Sequence, residues 1–281
     1  MPVCELATLN DYKTFEFDLG LMAPSADMSD GYLQNWRTSV LINMSHDSWA
    51  DYYDFISKES FGSLLDDHTK RVIERVFECI SPPACVLDLG AGTGRLAVPL
   101  AASGYRVTAV EQSSGMLTVL EKKVHDQELP IKMINASVTN FVTGHPHDLA
   151  VSLFTTLNYF VTQEDIRMFA NCLRKSLQSR GIFIFDLAME GVFSSVQYRS
   201  ESVVRDIKIY AHDDARYTYR ETTCGMLDGL SFQYEDKIEL RYWELDDVLR
   251  VFQDLDFVLL DELTDFFQGA FLHRTFMMCR T

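Results

Sequence analysis

Three glycines at alternate positions, Gly90, Gly92 and Gly94, follow the mostly apolar run VLDL and precede a predicted helix. Glycine lets another group approach the backbone closely, and the first turn of a helix has unpaired N–H donors. The spacing G-x-G-x-G differs from the dinucleotide fingerprint G-x-G-x-x-G, which needs glycine or alanine where this chain has Arg95. The pattern disfavours a dinucleotide, and it leaves a nucleoside or another part of the protein as the group that approaches the turn.

A carboxylate lies further along the chain, where the run YRVTAVE ends on Glu111. In an open parallel sheet, ligands bind beyond the carboxyl ends of the strands. A carboxylate at the end of a neighbouring strand can therefore accept hydrogen bonds from both hydroxyls of a ribose. Together, the glycine turn and Glu111 predict a nucleoside-binding site.

These residues belong to a segment, from about residue 84 to 190, in which short apolar runs alternate with amphipathic ones. The predicted strands are CVLDLG, YRVTAVE, PIKMIN, DLAVSLF and GIFIFDL, and the predicted helices are GRLAVPLAAS, SSGMLTVLEKKVHD and EDIRMFANCLRKSLQS. Strands that alternate with helices indicate parallel strands joined by right-handed crossovers. The prediction is an α/β fold with a doubly wound sheet and helices on both faces.

The flanking segments have different patterns. Residues 1 to about 30 are predicted as a loop or arm, and residues 31–61 as an aromatic, helix-compatible segment that packs on the core or forms one wall of a pocket. The run DDHTKRVIERVFECI predicts a further helix. After Gly191, the runs SVVRDIKIYA, ARYTYRETTCGM and LSFQYEDKIELRYW alternate with period two, which predicts an antiparallel sheet with one solvated face. ELDDVLRVFQDL then predicts a helix, and FVLLDELTDF with RTFMMCRT a closing pair of strands.

The composition narrows the class of protein. The 281 residues carry a formal net charge of -16, which disfavours a broad nucleic-acid-binding surface. The six cysteines are scattered without a C-x-x-C pair, so neither a zinc site nor a disulfide framework is predicted. His145 and His147 flank Pro146 and are predicted to lie in a surface loop rather than at a metal. No signal peptide or membrane span is predicted, so we expect a soluble, cytoplasmic protein.

VLDLGAGTG and VTAVEQSSGML resemble the first two motifs of the class I S-adenosylmethionine-dependent methyltransferases, over about residues 50 to 281. The layout is most similar to the small-molecule N- and O-methyltransferases that include the glycine and amino-sugar methylating enzymes. The resemblance implies a Rossmann-like, seven-stranded core with an antiparallel terminal strand, an N-terminal helical lid and a small inserted antiparallel β module. The implied segments are an arm and lid (1–65), the cofactor-binding core (66–190), the inserted module over the substrate (191–245) and the return to the core (246–281).

The resemblance also implies the cofactor, S-adenosylmethionine, and the residues that bind it. These residues are Tyr53, Asp88, Gly90, Ala91, Gly92, Gly94, Glu111, Gln112, Met116, Ser137, Val138, Phe154 and Thr155. The glycine turn would border the methionine moiety, and Asp88 would orient the turn. Glu111 would hold the ribose hydroxyls, and Gln112 and Met116 would line the adenine. Tyr53 would close over the amino acid end of the cofactor.

Two positions depart from the family pattern. Ser137 stands where relatives have an aspartate that bonds the adenine amino group, so we expect backbone groups of Ser137 and Val138 to contribute to adenine recognition. Thr155 and Thr156 stand where relatives often have an acid before LNYL, which removes a charged anchor for a cationic substrate.

The implied reaction is methyl transfer by in-line displacement to a nitrogen or an oxygen of a small molecule, with S-adenosylhomocysteine as product and no metal. Tyr159 and Asn158 are the predicted catalytic residues near the methyl group, and His46 is the candidate base. Two alternatives stay open: an S-adenosylmethionine-binding protein that does not methylate, and a methyltransferase acting on protein or tRNA. We expect a monomer or a homodimer.

Overall fold

The computed structural model describes residues 46–263 and 273–281. A seven-stranded sheet forms the core, with strands β1 (Cys85–Leu89), β2 (Arg106–Glu111), β3 (Ile131–Asn135), β4 (His147–Ser152), β5 (Leu177–Ala188), β10 (Phe257–Glu262) and β11 (His273–Arg280). The strand order is β10-β11-β5-β4-β1-β2-β3. Strand β11 is antiparallel to both of its neighbours, and the other pairs in this sheet are parallel. The predicted doubly wound sheet with an antiparallel terminal strand is confirmed.

Helices cover both faces of this sheet. They are α1 (Ala50–Phe61), α2 (Leu64–Cys79), α3 (Ala97–Ala102), α4 (Ser114–Asp126), α5 (Gln163–Ser176) and α6 (Leu245–Gln253), with a 3-10 turn at Asp47–Trp49 before α1. Successive residues of β1 point to opposite faces. Leu87 packs in the cluster that contains residues of α5 and α6, and Val86 packs in the cluster that contains residues of α2, α3 and α4. Because both faces of β1 are buried, its sequence is a nearly continuous apolar run.

The order in which successive strands are added to the sheet reverses between β1 and β4, which are parallel, hydrogen-bonded neighbours. From β1, the strands continue to β2 and β3 on one side and to β4 and β5 on the other. In an open α/β sheet, the crevice beyond the carboxyl ends of the strands at this reversal is where ligands bind. The fold thus brings the loops after β1, β2 and β4 to one edge of the sheet.

A second, four-stranded antiparallel sheet is inserted between β5 and α6. It consists of β6 (Val196–Arg199), β7 (Val203–Ala211), β8 (Arg216–Leu227) and β9 (Leu230–Arg241), paired in chain order. One face packs against α1 and the turn before it, through a cluster that includes Trp49, Ile56, Val203, Phe232 and Tyr234. Alternate residues of β8 and β9 are buried, as the period-two pattern predicted.

The structure corrects three local predictions. His147 is fully buried at the start of β4, where Thr108 and the carbonyl of Ser176 bond its ring nitrogens, and does not lie in a surface loop. The helix predicted to reach Ser179 ends at Ser176, and the chain continues as β5. Strand β6 was not predicted, because it is short and mostly exposed and so has no alternation of buried residues.

The arm predicted over residues 1 to about 30, and the first part of the predicted helical segment, lie outside the described residues. None of the helices within residues 46–263 and 273–281 is long and apolar enough to cross a membrane.

Candidate active site at the carboxyl ends of the strands

The three glycines of the turn after β1 have positive φ angles, of 78° at Gly90, 54° at Gly92 and 87° at Gly94. Their surroundings differ. A Cβ atom at Gly94 would lie 2.3 Å from Leu120 Cδ1, and one at Gly90 would lie 2.7 Å from Thr156 Oγ1, whereas one at Gly92 would meet no atom within 4 Å. Two of the glycines therefore accommodate other parts of the protein. Only Gly92 faces open space.

Glu111 ends β2 beside this open space, and it is 9% exposed. Its Oε2 atom accepts a hydrogen bond from the Gly92 amide at 3.0 Å, and its Oε1 atom accepts one from the Ser113 amide at 2.8 Å. Each carboxylate oxygen has a second lone pair. The two backbone bonds therefore fix the orientation of the carboxylate and leave it able to accept from two hydroxyl groups.

Asp88 lies beneath the turn, in β1, and is buried. The amide of Ala97, at the start of α3, bonds its carboxylate, which ties the end of the turn to the strand. Its Oδ2 atom has no hydrogen-bond partner. Burial, together with the nearby charge of Glu111, raises the pKa of Asp88 to about 7. Ala91 is 8% exposed and packs in the core next to the turn.

The 3-10 turn before α1 caps the helix that follows Glu111. Asp47 Oδ1 accepts hydrogen bonds from Ser113 Oγ at 2.5 Å and from the Gly115 amide at 3.0 Å. These bonds lower the pKa of Asp47, as expected for a carboxylate at the N-terminus of a helix. A Cβ atom at Gly115 would lie 2.7 Å from the carbonyl oxygen of Asp47. The turn and the first residues of α4 are thus in direct contact.

A second contact joins α1 to the glycine turn. Asp54 Oδ1 accepts a hydrogen bond from Thr93 Oγ1 at 2.6 Å, and its Oδ2 atom accepts one from Lys123 Nζ at 2.6 Å. Lys123 also donates to the carbonyl of Thr93 at 2.9 Å. The segment formed by the 3-10 turn and α1 is therefore attached at two points, by Asp47 to the loop after β2 and by Asp54 to the loop after β1.

This attachment brings aromatic side chains together beside the loops. The ring of Trp49 lies 5.2 Å from that of Tyr53 and 5.3 Å from that of His46. The ring of His46 lies 5.9 Å from that of Tyr159, and its Nε2 atom lies 3.3 Å from the Tyr159 hydroxyl. Two of the three predicted catalytic residues are thus in contact, from segments 113 residues apart in sequence.

The Tyr159 hydroxyl stays protonated at this site. Burial raises the pKa of Tyr159 far above its usual value, and the nearby groups Tyr53, Asp236, Glu111 and Glu221 act in the same direction. Tyr159 is therefore protonated throughout the physiological range of pH. Its hydroxyl can donate a hydrogen bond, but it cannot act as a base at neutral pH.

The loop after β4 begins with two successive left-handed residues, Phe154 (φ 57°) and Thr155 (φ 64°). This conformation costs roughly 1–2 kcal/mol at each non-glycine residue. Asp186 offsets the cost, because its two carboxylate oxygens accept the amides of Phe154 at 2.8 Å and Thr155 at 3.2 Å. Thr156 then lies against Gly90. Asp186 therefore determines how this loop meets the glycine turn.

Two buried histidines, His68 and His273, lie near the loop that Asp186 binds. Burial raises the pKa of Asp186 to about 6, although His68 and the two amide bonds act in the opposite direction. Burial lowers the pKa of His68 and of His273 to about 4. Both rings lie against Phe154, with centroids 5.2 Å and 6.4 Å from the centroid of the phenylalanine ring. Both histidines are therefore neutral at pH 7.

Asn158 is fully buried, and both ends of its amide bond the backbone. Its Nδ2 atom donates to the carbonyl of Arg241 at 2.8 Å, and its Oδ1 atom accepts the amide of Ala188 at 3.0 Å. The side chain joins the loop after β4 to β5 and β9.

The predicted adenine-binding residues lie in the loops after β2 and β3. Gln112 directly follows Glu111, and Met116 is 2% exposed in the first turn of α4. Ser137 and Val138 follow β3, and the Ser137 hydroxyl bonds that of Thr139 at 2.8 Å. Val138 packs against the core. Their contacts with adenine stay a prediction.

Four residues that contact the loops of the site were not predicted as site residues from the sequence: Asp54, His68, Arg95 and Asp186. Asp186 has a signal like that of Glu111, because it is an acid near the end of the apolar run GIFIFDL. Asp54, His68 and Arg95 carry no such signal, because their partners are distant in sequence. Within residues 46–263 and 273–281, no group of three or more His, Cys, Asp or Glu side chains is arranged to hold a metal ion.

The chain is similar to known methyltransferases. Residues 86–181 match the model of a methyltransferase domain. A protein of Geobacillus sp. (strain WCH70), named as a methyltransferase, is 25% identical over 176 residues, which are 63% of this chain and 67% of that protein. A second protein so named, from Bacillus subtilis (strain 168), is 31% identical over 104 residues, which are 36% of this chain and 41% of that protein.

Solved structures share the fold. An S-adenosylmethionine-dependent methyltransferase from Clostridium acetobutylicum ATCC 824 superposes with a TM-score of 0.72 and 18% identity, over 82% of this chain and 98% of that one. The sugar N-methyltransferase KedS8 from Streptoalloteichus sp. ATCC 53650 superposes with a TM-score of 0.65 and 18% identity, over 86% of this chain and 96% of that one. At this level of identity, the likeness is one of fold.

The sheet order is that of the Rossmann-like fold of the methyltransferase structures that superpose on this chain. The chain carries a methyltransferase domain at residues 86–181, and its fold is shared with S-adenosylmethionine-dependent methyltransferases.

Proposed function

We propose that the enzyme transfers a methyl group from S-adenosylmethionine to a nitrogen or oxygen atom of a small molecule. The observation that carries this proposal is the open space at Gly92, next to the oriented carboxylate of Glu111. A backbone without a side chain admits close approach, and a carboxylate with free lone pairs accepts both hydroxyls of a ribose. The residues present therefore fit a nucleoside, as S-adenosylmethionine contains.

In this proposal, Glu111 binds the ribose, and the residues predicted for the adenine lie in the loops after β2 and β3. When bound, S-adenosylmethionine supplies an electrophilic methyl carbon to a lone pair of the acceptor, and the electron pair of the broken C–S bond stays on sulfur. The protein aligns the reactants and excludes water. Asp186 contributes by fixing Phe154 and Thr155, because its carboxylate binds both of their amides.

Proton handling falls to the pair formed by His46 and Tyr159. The raised pKa of Tyr159 makes its hydroxyl a hydrogen-bond donor that can orient the acceptor. His46 Nε2 lies 3.3 Å from that hydroxyl and is the member of the pair that can accept a proton. We assign Asn158 a structural role, because backbone groups occupy both ends of its amide.

Two observations support a small molecule as the acceptor. The net charge of -16 opposes binding to the phosphates of RNA. The inserted sheet packs against α1 beside Tyr159, as a roof that would enclose a compact substrate. The structural neighbour KedS8 is named as a sugar N-methyltransferase, and a sugar acceptor agrees with this choice.

Calorimetry with S-adenosylmethionine tests the cofactor site. Glu111→Ala is expected to weaken binding by about 1–3 kcal/mol, because charged hydrogen bonds to the ribose are lost. Glu111→Gln keeps the shape of the side chain and removes its charge, so it separates the contribution of the charge to cofactor affinity from that of the shape. Glu121→Gln, on the exposed face of α4, is the matched control and should bind as the parent does. Equal affinity in the parent and both Glu111 variants would contradict the assignment.

A second experiment tests the transfer itself. The enzyme is incubated with S-adenosylmethionine labelled on its methyl group and with extracts of small molecules, and labelled products are separated by chromatography. A labelled small molecule supports the proposal. Tight cofactor binding without any labelled small molecule would favour the non-methylating alternative, and label in protein or tRNA would favour the macromolecular one.

A further inference from the structure

The inner face of the inserted sheet, which packs against α1 and the turn before it, consists of rows of paired residues across β7, β8 and β9. Successive rows near the α1 end are buried: Val203 with Gly225 and Phe232, Arg205 with Thr223 and Tyr234, and Ile207 with Glu221 and Asp236. The ring of Trp49 stacks on Tyr234 with centroids 4.6 Å apart, and its Nε1 atom donates to Asp236 Oδ2 at 3.1 Å. The segment around α1 therefore covers this part of the inner face.

The next row, formed by Ile209, Tyr219 and Ile238, is different, because each of its residues is partly exposed. We call it the open row. Beyond it the face is covered again, since the ring of Tyr217 lies 4.7 Å from that of Phe193. Neighbouring strands are about 4.8 Å apart, so three strands make a strip about 10 Å across. The open row is thus a gap of this width between two covered parts of one face.

The open row presents apolar surface to whatever occupies the gap. Ile209 and Ile238 are aliphatic. The hydroxyl of Tyr219 donates to the carboxylate of Glu221 and accepts from Arg205 Nη2 at 3.2 Å. Arg205 and Glu221 form a buried bidentate ion pair, with Nε to Oε1 at 2.6 Å and Nη2 to Oε2 at 2.8 Å. These bonds hold Tyr219 by its polar end, so its ring and the two aliphatic side chains are what a ligand would meet.

The open row is also continuous with the site. Tyr159 and all three residues of the open row pack against one buried cluster, formed by Ala188, Phe193 and Leu240. Asn158, next to Tyr159 in sequence, donates to the carbonyl of the last residue of β9 at 2.8 Å. This bond fixes the loop that carries Tyr159 to the inserted sheet. The apolar strip therefore lies beside the hydroxyl that orients the acceptor under the proposed function.

We infer that the open row binds an aromatic portion of the methyl acceptor, of one or two rings, an inference that rests on the proposed function. A flat ring against these side chains would remove apolar surface from water, and it could stack on the ring of Tyr219. The hydroxyls of a sugar would instead face two aliphatic side chains and a ring, and burying them without hydrogen bonds is costly. The acceptor thus differs from that of the neighbour named as a sugar N-methyltransferase.

Calorimetry with two defined probes tests this inference on the full chain, in the presence of S-adenosylhomocysteine. Indole is flat and apolar with a single polar group, whereas methyl glucoside is a ring with several hydroxyls. The parent is expected to bind indole at least roughly 10-fold more tightly than methyl glucoside. Ile238→Ala should weaken indole binding by roughly 10-fold, the effect of losing about two buried methylene groups.

Tyr210→Ala is the matched control, because Tyr210 follows Ile209 in β7, points to the opposite face and is 49% exposed. It should bind indole as the parent does. No binding of indole by the parent, or binding of methyl glucoside that is equally tight, would overturn the inference, and this comparison does not depend on whether any variant folds. Equal effects of Ile238→Ala and Tyr210→Ala on indole binding would also overturn it.

The extract experiment separates this inference from the proposed function. A labelled product that is retained on a reversed-phase column and absorbs as an aromatic compound supports the inference. A labelled product that elutes with the sugars would overturn the inference and leave the proposed function standing. The absence of any labelled small molecule would instead refute the proposed function, while the two probes still report on the open row itself.

Discussion

Replacing Asp88 with asparagine tests whether a buried carboxylate under the glycine turn lowers the stability of the fold. The carboxylate is buried, one of its oxygens has no partner, and the charge of Glu111 is nearby. These features raise its pKa from 3.8 to about 7 in the folded protein. Asparagine keeps the acceptor for the Ala97 amide and removes the charge.

The sign of the effect follows from linkage. The folded state holds the proton more tightly than the unfolded chain, so the stabilisation is fully present below pH 3.8 and is lost as the pH rises through about 7. The shift of about three units corresponds to an upper limit of about 4 kcal/mol. About 2–3 kcal/mol of this change falls between pH 5 and pH 8, by the same linkage relation. Relative to the parent, Asp88→Asn should therefore gain about that much stability between the two pH values.

The assay is urea unfolding of both proteins without cofactor, followed by circular dichroism at pH 5 and pH 8. Other titrating groups, such as the buried histidines, are present in both proteins, so their contributions cancel in the difference. Equal m-values would show that the same surface is exposed on unfolding. A stability difference between variant and parent that is the same at both pH values would refute the reasoning.

The glycine turn and the loop after β4 give two further tests. Gly94→Ala should destabilise the fold by roughly 2–4 kcal/mol, because its Cβ atom would lie 2.3 Å from Leu120 Cδ1 at a positive φ angle. Gly92→Ala should cost only about 1 kcal/mol of folding free energy, because its Cβ atom would meet no atom within 4 Å, and it should act mainly on cofactor affinity. Urea unfolding and calorimetry measure the two effects, and equal destabilisation by the two changes would contradict the assignment. Asp186→Asn should show a smaller pH-dependent gain in stability than Asp88→Asn, about 1–2 kcal/mol between pH 5 and pH 8, because the pKa of Asp186 is about 6. A larger gain than that of Asp88→Asn would contradict the order of the two pKa values.

Local patterns predicted the parts of the site that depend on one strand and the loop after it. A buried strand followed by alternate glycines predicted the turn, and the same rule of position predicted Glu111 at the end of β2. The alternation of strands and helices predicted the sheet, because each crossover must pack on one of its faces. The same rule applied to β5 would have found Asp186.

The remaining contacts join segments that the sequence gives no reason to pair. Asp54 meets Thr93 across 39 residues, and Asp186 meets Phe154 across 32. His147 was wrongly placed in a loop because it follows Gly144 and Pro146, and only the pairing of β4 in the sheet buries it. Tertiary packing determines these positions, and a single sequence does not specify which partners meet.

The alternate glycines that first indicated a ligand turn out to have different physical roles. Gly94 is required because α4 packs against it, and Gly90 because the loop after β4 packs against it. Substituting either would harm the fold whether or not the protein binds a cofactor. Of the three, only Gly92 faces open space, and its amide bonds the carboxylate of Glu111. Under the proposed function, the selectivity of this turn for a nucleoside therefore depends less on the number of glycines than on the open space at Gly92 and the carboxylate beside it, which can accept hydroxyls.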